Sequence, residues 1–300
     1  MNKAVLGNFR APQSHWVGDG FPVRSLFNYD RLGGQISPFL MLDYAAPTMF
    51  PPAPNPRGVG EHPHRGFETV TIVYQGEVAH RDSAGNSGII GPGDVQWMTA
   101  ASGVLHDEFH SPTFSRQGGP LEMAQLWVNL PAQYKMTAPR YQGILKDQIP
   151  EAKLPDQAGN VRVIAGAFGG LRGPAATFSE LNVWDVRVKS GSSVTLKLPE
   201  GHGAAVAVLR GAIQANESSA AGDAELILFD RRGTDIRLAA ATDGQLLILS
   251  GVPIEEPIAG YGPFVMNTRA ELETAMMDFR LGKFGRLPPV NAARSGTPTR

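Results

Sequence analysis

The sequence contains no cysteine. Disulfides, thiolate nucleophiles, iron–sulfur clusters and cysteine-based zinc sites are therefore excluded, and any metal ion must be held by histidine and carboxylate side chains. Charge is sparse and balanced. Charged residues make up 18% of 300, and the net charge is -1. No basic run is present that would release counterions from a phosphate backbone, which argues against direct binding to DNA or RNA. Long apolar runs are missing as well, so no segment reads as a membrane-spanning helix. Met1 to Gly7 lead into polar residues and Pro12 without the apolar core of a secretory signal. The expected location is cytoplasmic.

Glycine and proline are abundant, with 35 and 24 residues, and follow no collagen-like period. Many turns imply many short strands. Alternation predicts strands at 67–82 and 94–98, with Gln75-Gly76 and Gly91-Pro92-Gly93-Asp94 as turns, and a longer one from Leu121 to Leu130. The second half has the same texture, at Val183–Lys189, Val194–Leu198, Ala204–Leu209, Glu225–Phe229 and Gln245–Leu249. Val73-Tyr74-Gln75-Gly76-Glu77-Val78 is echoed by Val208-Leu209-Arg210-Gly211-Ala212-Ile213, which suggests two copies of one β-fold. A linker is expected within 131–160, where Pro131, Pro139, Pro150 and Pro155 cluster. One helix stands out near the end. Thr268 and Glu271 have capping-box spacing, Leu272, Ala275, Met276 and Phe279 recur at helical intervals, and Gly282 stops the run.

Five of the seven histidines lie between residues 62 and 110. His62-Pro63-His64 is an i, i+2 pair, and on extended backbone both rings point to one side. His106-Asp107-Glu108 repeats the pattern, with His106 and Glu108 on one face and Asp107 on the other. Glu68 shares the parity of His62 and His64 if the strand runs on without a bulge, so parity leaves both carboxylates open. A lone His-X-His on a strand usually carries no function. Two such pairs brought together supply imidazole nitrogens and carboxylate oxygen for one borderline divalent ion, with positions left for water, dioxygen or substrate. His80 and His110 read as residues around the site or at the surface. His15 and His202 read as unrelated to it.

Gly60-Glu61-His62-Pro63-His64-Arg65-Gly66-Phe67-Glu68-Thr69-Val70 resembles the first motif of the pirins, a branch of the cupin superfamily. Gly93-Asp94-Val95-Gln96-Trp97-Met98-Thr99-Ala100 and Gly103-Val104-Leu105-His106-Asp107-Glu108 resemble the second. Further matches are Pro38 to Asp43, Gln125 to Leu130 and Gly262 to Thr268. The resemblance runs from about residue 20 to 285 and implies an all-β bicupin of two stacked jelly-roll barrels with a C-terminal helix. The domains expected are 1–135 with the metal, 150–290 without it, and a tail at 291–300.

The resemblance also implies one divalent metal ion, Fe(II), on His62, His64, His106 and Glu108, where most other cupins would use the carboxylate at Glu68. Some pirins are similar in activity to flavonol dioxygenases, the quercetinases. The activity implied is ring opening of a flavonol such as quercetin by dioxygen with release of carbon monoxide. Glu108 would be the base that takes the substrate's 3-hydroxyl proton. Arg65, Phe67, Trp97 and Met98 are candidates for the pocket wall, although core or turn packing explains each one singly. Other pirins resemble regulators that bind a transcription factor or metabolic enzyme, so a protein partner is the alternative expectation. From charge alone, random duplex DNA at physiological salt should show no sub-micromolar binding in a fluorescence-anisotropy titration. A tighter isotherm would contradict the reading.

Overall fold

The structure is a computed structural model in which residues 1–289 are described. The expected tail at 291–300 lies outside the described residues. Strands dominate, as the turn-rich composition requires. Among the described residues no helix is long and apolar enough to cross a membrane.

The chain forms two compact units, and each is assembled from three segments. The expected boundaries, 1–135 and 150–290, gave each domain one continuous stretch. In the structure the first unit comprises Met1–Gln13, Arg24–Tyr44 and Asp147–Ile254, and the second Ser14–Val23, Ala45–Lys146 and Glu255 onward. The reason is strand pairing at long sequence range. Strand Val5–Arg10 pairs with Glu225–Phe229, a partner that local patterning does not reveal.

In the first unit a seven-stranded sheet runs in the order Val5–Arg10, Glu225–Phe229, Gly203–Arg210, Gly244–Gly251, Leu181–Val188, Gly159–Ala165, Glu151–Lys153. A second sheet of four strands contains Ser193–Lys197 and Asp235–Ala240. Alternate residues such as Val161, Val163, Trp184, Val186, Val206, Val208, Ile227 and Ile248 meet in one apolar cluster. This interior carries no histidine pair. The unit's buried histidine, His202, faces the exposed Glu180 at 3.5 Å.

The second unit holds the histidine-rich strands. Gly58–His64, Val104–His110, Val78–Asp82 and Ser87–Ile90 form one sheet in that order. Arg140–Ile144, Val95–Thr99, Phe67–Gln75 and Gly119–Asn129 are successive neighbours in another. The internal echo has a structural counterpart. Gly76 and Gly211 both lie between strands at positive φ, +81° and +105°, a conformation that glycine adopts without a Cβ clash.

The capping box of the C-terminal helix, Arg269–Arg280, is complete: Thr268 Oγ1 accepts from the Glu271 amide, and Glu271 accepts from the Thr268 amide at 2.8 Å. Leu272 and Ala275 pack with Leu105, Phe264, Met266 and Phe284, while Phe279 is half exposed. This C-terminal segment also fixes the chain just after His64. Arg65 donates to Ser102 O at 2.6 Å and to Asp278 at 2.9 Å, and its guanidinium lies over the Phe284 ring. The fully buried Lys135 ammonium donates to Gly66 O, Asn129 Oδ1 and Val265 O at 2.7, 2.7 and 3.0 Å. Three acceptors match its three protons. Lys135→Met would leave those oxygens buried without a donor, so a loss of about 3 kcal/mol is expected, seen as a fall in melting temperature of roughly 6–12 °C. An unchanged melting temperature would refute the role.

Candidate metal centre

Strand Gly58–His64 is extended, so His62 and His64 rise from the same face. Its antiparallel neighbour sets His106 directly opposite His62. Ring centroids lie 4.9 Å apart for His62 and His64, 4.2 Å for His62 and His106, and 4.7 Å for His64 and His106. One nitrogen from each ring falls within 4.8 Å of the others. His106, Glu108 and His80 form an overlapping group of the same tightness.

The nitrogens are in the right state for an ion. Burial, reinforced by the neighbouring imidazoles, holds His64 and His106 well below the ordinary histidine range, so both are neutral at neutral pH. His62 Nδ1–H donates to the Gly60 carbonyl at 2.8 Å, which leaves Nε2 its lone pair. His64 Nδ1 and His106 Nε2 are buried and meet no hydrogen-bond partner among the described residues. Buried polar atoms are normally satisfied, and a divalent ion satisfies such nitrogens. The residues therefore fit a metal.

Two carboxylates were open by parity, and the backbone separates them. The strand ends at His64, and Gly66 turns the chain at φ +91° before Phe67–Gln75 begins, so parity does not carry from His64 to Glu68. A Cβ on Gly66 would stand 2.0 Å from Val265 O, which reserves this turn for glycine. On the new strand Glu68 and Thr71 face opposite ways. Thr71 points at Glu108, with its hydroxyl 3.2 Å from Oε1, and Gln125 Nε2 donates to Glu108 Oε2 at 3.5 Å. Glu68 instead accepts from Thr99 at 2.7 Å and belongs to neither histidine group. Asp107 points away from the cluster, as alternation requires, and takes three hydrogen bonds from Arg81.

The remaining histidines divide. His80 is buried opposite Glu108, and its Nδ1 lies 3.4 Å from His106 Nδ1. His110 is a correction. It lies neither at the surface nor against the cluster, but donates from Nε2 to Gly20 O at 2.9 Å amid Phe21, Phe50 and Phe114. Of the four pocket-wall candidates, Arg65 is occupied by Asp278, and Trp97 and Met98 are fully buried. Phe67 lies beside His64, stacked on the half-buried Trp127. Thr71, Gln125 and Trp127 were missed as site residues, because a strand's alternation does not say which face turns inward.

Residues 20–128 match the family model described as Pirin, and residues 183–285 match the Pirin C-terminal cupin domain. The chain belongs to the pirin family. It is an all-β bicupin with a C-terminal helix. This pirin is 59% identical over 282 residues, 94% of its length and 98% of the other's, to a Pseudomonas aeruginosa protein named "Putative quercetin 2,3-dioxygenase". It is 36% identical over 239 residues to Arabidopsis thaliana Pirin-1, covering 76% of this chain and 78% of that one. A crystal structure of quercetin 2,3-dioxygenase from Acinetobacter baumannii superposes with a TM-score of 0.92 at 54% identity, covering 94% of this chain and 98% of the other.

Glu68 gives this pirin a measurable pH signature. Burial raises its carboxyl from 4.5 to about 7. Between these values the folded protein holds a proton that the unfolded chain has released, so the contribution is favourable at low pH and is lost as pH rises. The span corresponds to roughly 3 kcal/mol. The buried histidines oppose it, since they favour the fold as pH rises toward 6.5. The test is therefore a difference: for metal-free protein, the stability of wild type relative to Glu68→Gln should fall between pH 4.5 and 7. Parallel curves would show that Glu68 titrates normally.

Proposed function

We propose that this pirin is a metal-dependent dioxygenase that opens the central ring of flavonols such as quercetin, with Fe(II) as its ion. The proposed ligands are His62, His64, His106 and Glu108. The observation that carries this reading is a set of three close imidazoles, two of them buried with free nitrogens, beside the Glu108 carboxylate. The near full-length similarity to proteins named as quercetin dioxygenases supports the choice of substrate. A cytoplasmic setting belongs to the same reading.

When bound, the ion supplies Lewis acidity toward the flavonol 3-hydroxyl and a place for dioxygen. The chain's own residues do the rest. Glu108 takes the 3-hydroxyl proton, at Oε2, whose contact with Gln125 is long. Thr71 borders the other oxygen at 3.2 Å, while its hydroxyl proton goes to the nearer Gln125 Oε1 at 2.7 Å. Trp127, edge-on to His64 at 5.3 Å and stacked on Phe67, offers an aromatic wall for the planar substrate. The deprotonated flavonol is electron-rich. Both oxygen atoms of dioxygen enter the product, at C2 and C4, the C2–C3 and C3–C4 bonds break, and C3 departs as carbon monoxide with the 3-oxygen.

The experiment is comparative. Freshly purified protein should carry one ion per chain by elemental analysis, and His106→Ala should lose most of it. Glu108→Gln should lose more metal than Glu68→Gln. With quercetin, oxygen uptake and carbon monoxide release should far exceed those of His106→Ala at equal added iron. Equal rates would assign turnover to free metal and sink the enzyme reading. Absence of turnover with any metal tested would favour an iron-dependent regulatory protein with a protein partner.

A further inference from the structure

Behind the proposed ligands lies a second row of polar residues whose order is set at its far end by Asp82. This carboxylate is 1% exposed and held rigidly. Its Oδ1 accepts from the Ala84 and Asn86 amides, both at 2.9 Å, and Asn86 Nδ2 donates to both of its oxygens at 3.1 and 3.0 Å. Oδ2 stands 3.5 Å from His80 Nε2, close enough for the carboxylate to favour a proton on that nitrogen, although the contact is no hydrogen bond and Nε2 is otherwise without a partner among the described residues. His80 Nδ1 in turn lies 3.4 Å from His106 Nδ1. Tyr141 fixes the plane of the His80 ring by stacking on it, with centroids 5.4 Å apart and planes 14° apart.

A carboxylate only accepts, so the proton of His80 belongs on Nε2. His80 Nδ1 is then an acceptor, and the Nδ1 of His106 must be the donor. That leaves the His106 lone pair on Nε2, a buried atom that makes no hydrogen bond among the described residues. The opposite tautomers would put a proton on His106 Nε2 and exclude it from coordination. We propose that Asp82 and His80 form a positioning relay that fixes the tautomer and the ring angle of His106. Neither His80 nor Asp82 is a ligand in this relay, and neither touches substrate. The relay rests on the metal centre proposed above, and it explains why a second histidine is buried against His106 on the side away from His62.

Outer partners of this kind typically change metal affinity 10- to 100-fold. The test uses the full-length chain stripped of metal and titrated anaerobically with Co(II), whose visible absorption reports its ligand field, and with Fe(II). His80→Phe keeps a ring on Tyr141 and removes the acceptor, so a 10- to 100-fold weaker affinity and altered Co(II) bands are expected. His80→Asn places an amide oxygen near the position of Nδ1 and should recover most of the affinity. Wild-type affinity and spectrum in His80→Phe would overturn the relay. So would an Asn variant as weak as the Phe variant, because packing alone would then explain the loss. Should His80→Phe fail to fold by circular dichroism, Asp82→Asn carries the test: weaker Co(II) binding supports the relay and wild-type binding overturns it. Wild-type protein that binds neither ion would instead sink the metal centre itself.

Discussion

Imidazoles packed within about 5 Å of one another, two of the three buried, cannot all carry a proton, and the structure is arranged around this constraint. Desolvation forces His64 and His106 neutral, and neutrality exposes lone pairs that the surrounding backbone does not use. The same burial that would be a liability in a simple core creates a demand for a cation. Four strands meet it: Gly58–His64 and Val104–His110 bring the nitrogens, Phe67–Gln75 brings Thr71, and Gly119–Asn129 brings Gln125 against Glu108.

Such a cluster must be held by its surroundings, because nothing in the imidazoles themselves attracts them to one another. The turn after His64 is fixed through Arg65, Gly66 and Lys135, all engaged by hydrogen bonds that include the segment after Glu255. On the other flank Asp107 is clamped by Arg81, which keeps His106 and Glu108 turned inward. The other unit shows what the fold does without these residues. Its interior is closed largely by valine, leucine and isoleucine, and the similar strand–glycine–strand element around Gly211 adds Val208 and Ile213 to that core.

Much of this was legible in the sequence because it depends on local periodicity. Alternation located the strands of both halves, and i, i+2 spacing put His62 with His64. The capping box located the C-terminal helix. What stayed hidden depends on register and on long-range pairing. The pairing of His106 with His62 is a register fact, as is the approach of His80 to Glu108. The ambiguity between Glu68 and Glu108 persisted because one positive-φ glycine resets the alternation between His64 and Phe67. The burial of His110 was hidden as well, since Phe21, Phe50 and Phe114 come from separate parts of the chain to enclose it.

The most direct measurement is an anomalous difference map, recorded at the iron absorption edge from crystals of iron-loaded protein. The proposed centre predicts one strong peak per chain within coordinating distance of His62, His64, His106 and Glu108, with none in the first unit. A peak held by His80 and His106 without His62 and His64, a peak on Glu68, or no peak in this barrel would contradict it.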